Sequence, residues 1–377
     1  MKLTLLTQNL KNAVNFVSRL TQKSISLPIL NNILIKTDSN LLELTATNLE
    51  IGIQCWVLSK IDKGGQIAIP SKILNSLLNS LPSKEDKLDL ELKDSYLFLK
   101  GKSFSAKIIG NNANDFPVIP KVSEKFCKID SNVLSEGLSQ VVDFVSLNQI
   151  KPELFGVFIN FSPQLIIMTA SDSFRLAEKR FFLNDKIDKK EKSIILPQKT
   201  AKELILVLEN SEAKECEIFL SENQAMFEFK SEFLGLSRIR ITSQLIEGSF
   251  PNYQEIIPKK IQTRVIFNKE EFLENLKIAS SFIGKTNEIN LTINPENKKV
   301  IVFSQNSDIG DYQSDFPAKI EGEKIKISFN YRFLLEGILK IKSKEVIFDL
   351  SGRETPALLK PVGSDDYFYI VMPFKLN

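Results

Sequence analysis

The most informative absence in this chain of 377 residues is histidine, which does not occur at all. Catalytic sites of the Ser-His-Asp and Cys-His kinds need an imidazole to accept the proton of the nucleophile, and many zinc and iron sites need it as a ligand. The most polar cluster, Ser171–Arg175, is not accompanied by the Ser-x-x-Lys pattern that replaces histidine in some hydrolases. The sequence therefore excludes the histidine-dependent sites and argues against a catalytic serine.

Cysteine is scarce, and long apolar runs are missing. The three cysteines, Cys55, Cys127 and Cys216, are odd in number and far apart, which is typical of buried thiols in a reducing compartment rather than of a disulfide framework. No apolar run reaches the length of a membrane span, and Lys2 is not followed by the apolar core of a signal peptide. We therefore expect a cytoplasmic protein without a membrane partner.

Phosphate-binding loops and a general excess of positive charge are also absent. Neither G-x-G-x-x-G nor G-x-x-x-x-G-K-[ST] occurs, so we expect no cofactor. The net charge is +3, with 16 Lys or Arg against 11 Asp or Glu in residues 1–126, 17 against 19 in residues 127–260, and 16 against 16 in residues 261–377. Any contact with nucleic acid must therefore depend on a local arrangement of basic side chains.

What the sequence does contain is one pattern that is repeated three times. A short apolar strand followed by an amphipathic helix begins near Met1, Cys127 and Thr263, at intervals about as long as a domain. In each helix the apolar residues recur three and four positions apart, so they share one face. These residues are Leu10, Ala13, Val14 and Val17, then Leu134, Leu138 and Val141, then Phe272, Leu276 and Ala279. The pattern predicts three domains of similar architecture, residues 1–126, 127–260 and 261–377.

Each third continues with a hairpin, two further strands, a second amphipathic helix and three closing strands. Short connections predict antiparallel strands, and the single apolar stripe of each helix predicts that both helices cover one face of the sheet, an α+β fold. In the first third the apolar side of the second helix comprises Ile73, Leu74, Leu77, Leu78 and Leu81. An exposed edge strand is prone to pair with other chains unless neighbouring repeats pair edge to edge. Three repeats paired in this way would form an arc, and a second chain would complete a closed ring.

Basic side chains occur on, or directly after, equivalent helices of the three thirds. Helix faces that offer Lys and Arg among Asn and Gln would contact DNA phosphates without reading the bases. The alternative interpretation is an ordinary solvated face. The residues concerned are Lys11, Arg19, Lys23, Lys72, Lys199, Lys202, Lys277 and Arg332.

Two other functions remain open at this point. A carboxylate-based hydrolase would use paired acids such as Glu270 and Glu271, although acids at the start of a helix also suit its dipole. A monomeric peptide-binding scaffold would use the apolar stretch Tyr367–Leu376, whose alternation otherwise predicts a buried last strand. In a scaffold of this kind Met372–Phe374 would stay exposed as an adaptable pocket.

Four motifs follow one another along the chain. They are Leu-Pro-Ile-Leu at 27–30, Ala-Ser-Asp-Ser-Phe-Arg-Leu-Ala at 170–177, Leu-Ile-Glu-Gly-Ser-Phe-Pro-Asn-Tyr at 245–253 and Tyr-Ile-Val-Met-Pro-Phe at 369–374. With these motifs, in this order and within a threefold repeat, the chain resembles the bacterial DNA polymerase III β subunits, the sliding clamps, over essentially its whole length.

The resemblance implies a DNA clamp fold in which one chain forms half of a closed ring. The ring would be a head-to-tail homodimer of six similar domains, with helices around the hole and sheets outside. It would encircle double-stranded DNA of any sequence and act as a non-catalytic processivity factor. The implied protein partners are the replicative polymerase, the clamp loader and other proteins that carry a clamp-binding peptide.

The resemblance also implies two protein-binding surfaces. A cleft between the middle and last domains would hold a short apolar peptide, and the subunit interface would join domain 1 of one chain to domain 3 of the other. The cleft residues would be Leu154, Ser171, Ser173, Phe174, Arg175, Leu176, Pro251, Ile256, Asn330, Phe333, Pro356, Ile370, Val371, Met372, Pro373 and Phe374. The interface residues would be Phe104 and Ile108 against Phe282 and Ile283.

Overall fold

The computed structural model describes residues 1–21, 26–82, 86–148, 150–183, 186–187, 189–231 and 235–375. Most contacts fall within two units of the chain. The first unit comprises Met1–Glu136, Ile187–Lys189 and Lys199–Leu245, and the second comprises Gly137–Lys186, Lys190–Gln198 and Ile246–Asn377. The central third of the sequence therefore contributes to both units.

The first third has the predicted order of strand, helix, hairpin, two strands, helix and three strands. Its elements are β1 (Lys2–Leu6), α1 (Thr7–Val17), β2 (Asn32–Asp38), β3 (Leu41–Thr47), β4 (Ile51–Lys63), β5 (Gln66–Pro70), α2 (Ser71–Ser80), β6 (Lys87–Lys93), β7 (Tyr96–Lys100) and β8 (Ser105–Ile109). Pro70 ends β5 and stands at the N-cap of α2, where its missing N–H costs no helical hydrogen bond.

The second third repeats this order. Its elements are β9 (Lys125–Asp130), α3 (Ser131–Val141), β10 (Gly156–Phe161), β11 (Leu165–Ser171), β12 (Arg175–Phe182), β13 (Lys192–Pro197), α4 (Gln198–Ser211), β14 (Glu215–Leu220), β15 (Gln224–Ser231) and β16 (Leu236–Gln244). A short 3₁₀ turn, Val142–Phe144, follows α3. The predicted boundary between residues 126 and 127 falls inside β9, and the domain boundaries stay predictions.

The last third has the same order with one additional strand. Its elements are β17 (Thr263–Asn268), α5 (Lys269–Ser280), β18 (Glu288–Asn294), β19 (Lys299–Asn306), β20 (Gly310–Pro317), β21 (Lys319–Gly322), β22 (Ile325–Asn330), α6 (Tyr331–Lys340), β23 (Glu345–Leu350), β24 (Ala357–Pro361) and β25 (Tyr367–Val371). The residue pattern does not single out β20, because only Phe316 of that strand is buried and no apolar alternation is visible.

In the first unit the sheets of the first and second thirds are continuous. The described strands run in the order β8-β7-β6-β1-β4-β16-β15-β14-β9, and β2, β3 and β5 join beside this path. β4 and β16 are antiparallel, with Ile51 opposite Ser243 and Ile53 opposite Ile241. The prediction that repeats pair edge to edge is confirmed at this junction.

The second unit contains an equivalent junction between the second and last thirds. Its larger sheet has the order β13-β10-β11-β12-β25-β24-β23-β17-β21, and a smaller sheet has the order β20-β19-β18-β22. β12 occupies the place of β4 in its repeat and β25 occupies the place of β16. Arg175 lies opposite Val371 and Leu176 opposite Ile370. The same pair of edge strands therefore joins successive repeats in both units.

The predicted helix faces are the faces that pack on the sheets. All ten apolar residues expected on the first helix of each third are buried, among them Leu10, Leu138 and Phe272. On α2 the prediction was wrong for Ile73, which is 52% exposed, because Leu74 and Leu78 alone point fully inward. None of the described helices combines the length and the apolarity that crossing a membrane requires.

Candidate functional site

The second unit brings the predicted cleft residues 171–176 and 370–374 side by side. β12 pairs with β25, and beyond the end of the ladder the Met372 N–H donates to the Phe174 carbonyl (2.9 Å). The Phe374 N–H then donates to the carbonyl of Ser328 in β22 (2.8 Å). β25 itself is buried, whereas the three residues after it are half-buried. The tail therefore combines the two expectations for it, a buried strand followed by a partly open segment.

The turn between β11 and β12 is held by its own side chains. The Asp172 carboxylate accepts from the backbone N–H groups of Phe174 and Arg175 (2.9 Å each). The Ser171 hydroxyl donates to the Arg175 carbonyl (2.9 Å) and accepts from the Ser173 N–H (3.2 Å). Ser173 has a φ of 77°, in the left-handed region that Asx-type turns tolerate. This turn presents the Phe174 side chain, 61% exposed, to solvent.

Arg175 is the most strongly engaged side chain of the site. Its guanidinium carbon lies 5.2 Å from the ring centre of Phe144 and 4.5 Å from that of Phe333. Its Nε donates to Asp172 (2.9 Å), and a terminal nitrogen donates to Glu336. Burial acts to lower the pKa of the guanidinium, but the bonds to these carboxylates outweigh it and the pKa is raised. Arg175 therefore remains charged between two aromatic rings.

An apolar cluster lies under the strand junction. Leu176, Tyr253, Phe368 and Ile370 are buried together, and Phe250, Ile257 and Leu358 pack against them. Burial and the neighbouring Glu178 carboxylate raise the pKa of the Tyr253 hydroxyl, which stays protonated and donates to Glu178. This contact ties the segment that precedes β17 to β12.

Helix α6 forms a second wall beside β25. The Tyr369 hydroxyl donates to the Phe333 carbonyl (2.9 Å), and Gly337 lies so near Tyr369 that a Cβ at this position would overlap the ring. Lys340, in the last turn, pairs with Asp143 (2.7 Å) in the turn after α3. Asn330 caps the helix by accepting from the Arg332 N–H (3.0 Å). The predicted cleft residue Asn330 thus has a structural role of its own.

The predicted cleft residues fall into two groups by exposure. One group is buried and would form the floor of a cleft: Leu154, Ser171, Leu176, Ile370 and Val371. The other group is exposed or half-buried: Ser173, Phe174, Arg175, Pro251, Ile256, Asn330, Phe333, Pro356, Met372, Pro373 and Phe374. A peptide would meet only the second group without a rearrangement of the site.

Several residues of this site were not predicted. Phe144 and Glu336 are separated from Arg175 by long stretches of chain, and no spacing in the sequence connects them with it. Tyr253 lies in one of the four motifs, but its bond to Glu178 depends on the packing of the linker. The one available signal for such a contact was an acidic residue within a buried strand, such as Glu178, because a buried carboxylate needs a hydrogen-bond partner.

The seven described residues among those predicted to contact DNA lie on the helices or directly after them. Arg19, Lys72, Lys199, Lys202, Lys277 and Arg332 are exposed, Lys11 is half-buried, and Lys23 lies outside the described residues. The Arg19 Nε donates to the Glu203 carboxylate of α4 (2.8 Å). The paired acids Glu270 and Glu271 lie in the first turn of α5, where they suit the helix dipole.

Of the predicted interface residues, Ile108 lies in β8 and Phe104 directly before it, whereas Phe282 and Ile283 follow α5. In the described part of the chain β8 pairs with β7 alone, and β20 pairs with β19 alone. Phe282 stacks on Tyr312 of β20, with ring centres 5.7 Å apart. Ile108 is 4% exposed and belongs to the core of its own chain, whereas Ile109 is 61% exposed. If β8 forms an interface, Ile109 offers the larger apolar surface.

The three thiols are buried inside the protein. Cys55, Cys127 and Cys216 are free and buried, as predicted, and burial raises the pKa of each thiol, to about 12 for Cys127. Thiols with raised pKa values are poor nucleophiles and metal ligands. Across the residues that the structure describes, no group of three or more Cys, Asp or Glu side chains is placed to hold a metal ion.

Three family models match successive parts of the chain. The model described as the N-terminal domain of the DNA polymerase III beta subunit matches residues 1–120. The models of the central and C-terminal domains of the same subunit match residues 128–252 and 254–375. Together these matches cover nearly the whole sequence.

Relatives and solved structures agree with the family models. The chain is 28% identical to the beta sliding clamp of Synechococcus elongatus, over 100% of both chains. It is 27% identical to that of Staphylococcus aureus, over 96% of this chain and 97% of the relative. The DNA polymerase III beta subunit of Thermotoga maritima has a TM-score of 0.90 at 23% identity, covering 100% of both chains. The DNA polymerase sliding clamp of Bacillus subtilis has a TM-score of 0.92 at 23% identity, with the same coverage.

Proposed function

The chain belongs to the DNA polymerase III beta subunit family, and from this premise we propose how it closes around duplex DNA and where its protein partners bind. It is a DNA sliding clamp, a processivity factor and a non-catalytic subunit of DNA polymerase III. The carboxylate-based hydrolase and the monomeric scaffold have no support, and Glu270 and Glu271 have the structural role described above. DNA, a second copy of the chain and the polymerase are its partners.

We propose a head-to-tail ring in which β20 of one chain pairs with β8 of the other. The observation that carries this proposal is the recurrence of one junction, β4 with β16 and β12 with β25. β20 is the counterpart of β4 and β12, and β8 is the counterpart of β16 and β25. In the described residues these two strands are left with one partner each. We propose that a third junction of the same kind joins two chains, and that two such head-to-tail contacts close a ring of two chains rather than extend into an open filament.

The repeats also predict the register of this junction. We matched the three repeats residue by residue through their paired strands. Ile51, Arg175 and Gly310 then occupy equivalent positions, and so do Ser243, Val371 and Ile108. Because Ile51 lies opposite Ser243 and Arg175 lies opposite Val371, Gly310 would lie opposite Ile108. In an antiparallel pair the next residues would then be opposite each other, Asp311 and Lys107 of the partner subunit, with both side chains on one face of the sheet.

Charge and exposure support this pairing. The segment around β8 carries Lys100, Lys102 and Lys107, and the segment around β20 carries Asp308, Asp311 and Asp315. Opposite charges on two surfaces favour their approach and oppose the pairing of each surface with itself. Each edge also exposes a large apolar residue, Ile109 at 61% and Ile309 at 63%. Burial of these two side chains would favour the closed junction.

The exposed helix faces are proposed to face the DNA, and the seven described basic residues and Lys23 are the candidates for contacts with its phosphates. A closed ring needs few contacts to stay on DNA, because leaving requires an end or an opened junction. Weak, salt-sensitive phosphate contacts are therefore sufficient, and strong ones would slow sliding. The cytoplasm, where replication takes place in bacteria, is the proposed location.

The cleft beside the β12–β25 junction is proposed to bind the apolar peptides of the polymerase, the clamp loader and other clamp-binding proteins. The exposed Phe174 and the half-buried residues Met372–Phe374 flank a floor made of buried aliphatic residues. Such a surface suits short apolar anchors, which dominate the affinity of peptide complexes.

A cysteine cross-link tests the head-to-tail junction. Lys107→Cys and Asp311→Cys in one chain should form covalent dimers under mild oxidation, because the two positions would lie within disulfide reach. The three native thiols are buried, so the background should be low. Each single variant, and Lys107→Cys with Gln313→Cys, are the controls and should cross-link far less. Equal cross-linking by Lys107→Cys alone would indicate a head-to-head pair and contradict the proposal.

A further inference from the structure

The helices of this sliding clamp carry little net charge. α1–α6 contain eight Lys or Arg and seven Asp or Glu. Amide and hydroxyl groups of α2 are hydrogen-bonded to α1 and to the turn after it: Asn79 donates to Asn15 (3.2 Å) and Asn75 donates to Ser18 (3.1 Å). Between α1 and α2 the surface therefore offers amide and hydroxyl dipoles to a phosphate backbone, beside the few cations of these helices.

Arg19 follows α1 directly, and its charge is already matched within the chain. Its Nε lies 2.8 Å from Oε2 of Glu203, which is on α4. The Glu203 side chain is 16% exposed and that of Arg19 is 39% exposed. The acid is thus the more buried partner, and it holds the guanidinium at the groove between α1 and α4, which amides of Asn12, Asn15 and Asn210 also line.

We propose that Glu203 lowers the affinity of the ring for DNA by neutralising Arg19 on the DNA-facing surface. The duplex is then held loosely by the other basic side chains and by amide and hydroxyl dipoles, and the closed ring supplies the retention. This inference rests on the proposed function, because it takes the exposed helix faces as the faces that meet DNA. Each phosphate that a cation neutralises adds roughly 0.9 to the slope of log affinity against log salt. Arg19, when paired with Glu203, should add little to that slope.

Binding to a short fluorescent duplex, between about 50 and about 200 mM NaCl, tests the inference. Glu203→Gln should raise the affinity about two- to fivefold at the lowest salt and steepen the slope by roughly 0.9. Arg19→Gln alone should change the affinity less than about twofold, and adding it to Glu203→Gln should abolish the gain. Glu209→Gln is the matched control, because it removes an exposed acid from the same helix. Any gain in DNA affinity from Glu209→Gln should remain when Arg19→Gln is added.

Two results would overturn the inference. One is an affinity and slope of Glu203→Gln equal to those of the unaltered chain. The other is a loss of about tenfold on Arg19→Gln alone, since Arg19 would then contact phosphate in spite of Glu203. Retention of the unaltered clamp on circular DNA, measured in parallel, separates these results from a failure of the proposed function. Thermal unfolding of every variant checks that the fold is kept.

Discussion

At the scale of single residues, Arg175 organises the proposed peptide cleft. It lies between the rings of Phe144 and Phe333 and bonds to Asp172 and Glu336, so one side chain holds the β11–β12 turn against α6. The motif around Arg175 was recognisable in the sequence, and its bond to Asp172 follows from their closeness in the chain. Its partners Phe144 and Glu336 could not be predicted, because long-range packing alone brings them together.

The end of the chain is expected to supply the anchors for partner peptides. Met372→Ala together with Phe374→Ala should weaken binding of a clamp-binding peptide by about 1–3 kcal/mol, because truncating buried anchors in an interface typically costs this much. Calorimetric titration with a peptide from the replicative polymerase measures the change. Both residues follow β25 rather than forming part of it, so the fold should be kept.

The matched control for this experiment is Phe182→Ala. Phe182 is 77% exposed at the opposite end of β12 from Phe174, so its removal should leave peptide affinity unchanged. Unchanged affinity of the Met372 and Phe374 double variant would place the peptide site elsewhere on the molecule. An equal loss from both variants would indicate a general change in the sheet instead.

At the scale of elements, the periodicity of apolar residues predicted the helices and hairpins well and the edge strands poorly. Apolar residues at helical spacing identified the first helix of each third, because one-sided burial leaves a clear repeat. Ile73 on α2 shares that spacing and is nevertheless exposed, since it lies on the side of the stripe away from the buried Leu74 and Leu78. β20 shows no alternation, because an edge strand buries few side chains. The strand that matters most for closing a ring was therefore the hardest to predict.

A charge exchange tests the proposed register of β8 and β20. Lys107→Asp would place two acids opposite each other at each of two junctions, and we expect the dimer to weaken by about 2 kcal/mol, roughly 30-fold in dissociation constant. Asp311→Lys should have a similar effect. The two substitutions in one chain should restore the affinity, because the opposite charges are then exchanged. Analytical ultracentrifugation over a concentration series measures all four proteins.

The control for the exchange is a lysine near β8 that the register does not place opposite an acid. Lys100→Asp makes the same change of charge on β7, one strand away from the edge. Its effect should be smaller, and Asp311→Lys should not rescue it selectively. Failure of the Lys107 and Asp311 exchange to restore the dimer would contradict the register, though not the ring itself.

At the scale of the whole molecule, three thirds of similar order explain both why the chain needs a partner and what that partner is. Two like junctions are made within the chain, by β4 with β16 and by β12 with β25, and the proposed third would join two chains. The sequence predicted the threefold repeat from spacing, and it predicted the edge-to-edge pairing from the tendency of open edge strands to find a partner. It could not predict which strands pair, because the strands of a junction are about 200 residues apart and carry no common motif.

The most direct test of the account is retention on DNA whose ends can be controlled. The clamp is loaded by its clamp loader and ATP onto a nicked circular plasmid, and bound protein is separated from free protein by gel filtration before and after one cut linearises the plasmid. We predict that the clamp stays with the circle and is lost after linearisation, since a ring leaves DNA by sliding off an end. Equal loss from both forms, or equal retention on both, would contradict the claim that this chain encircles DNA.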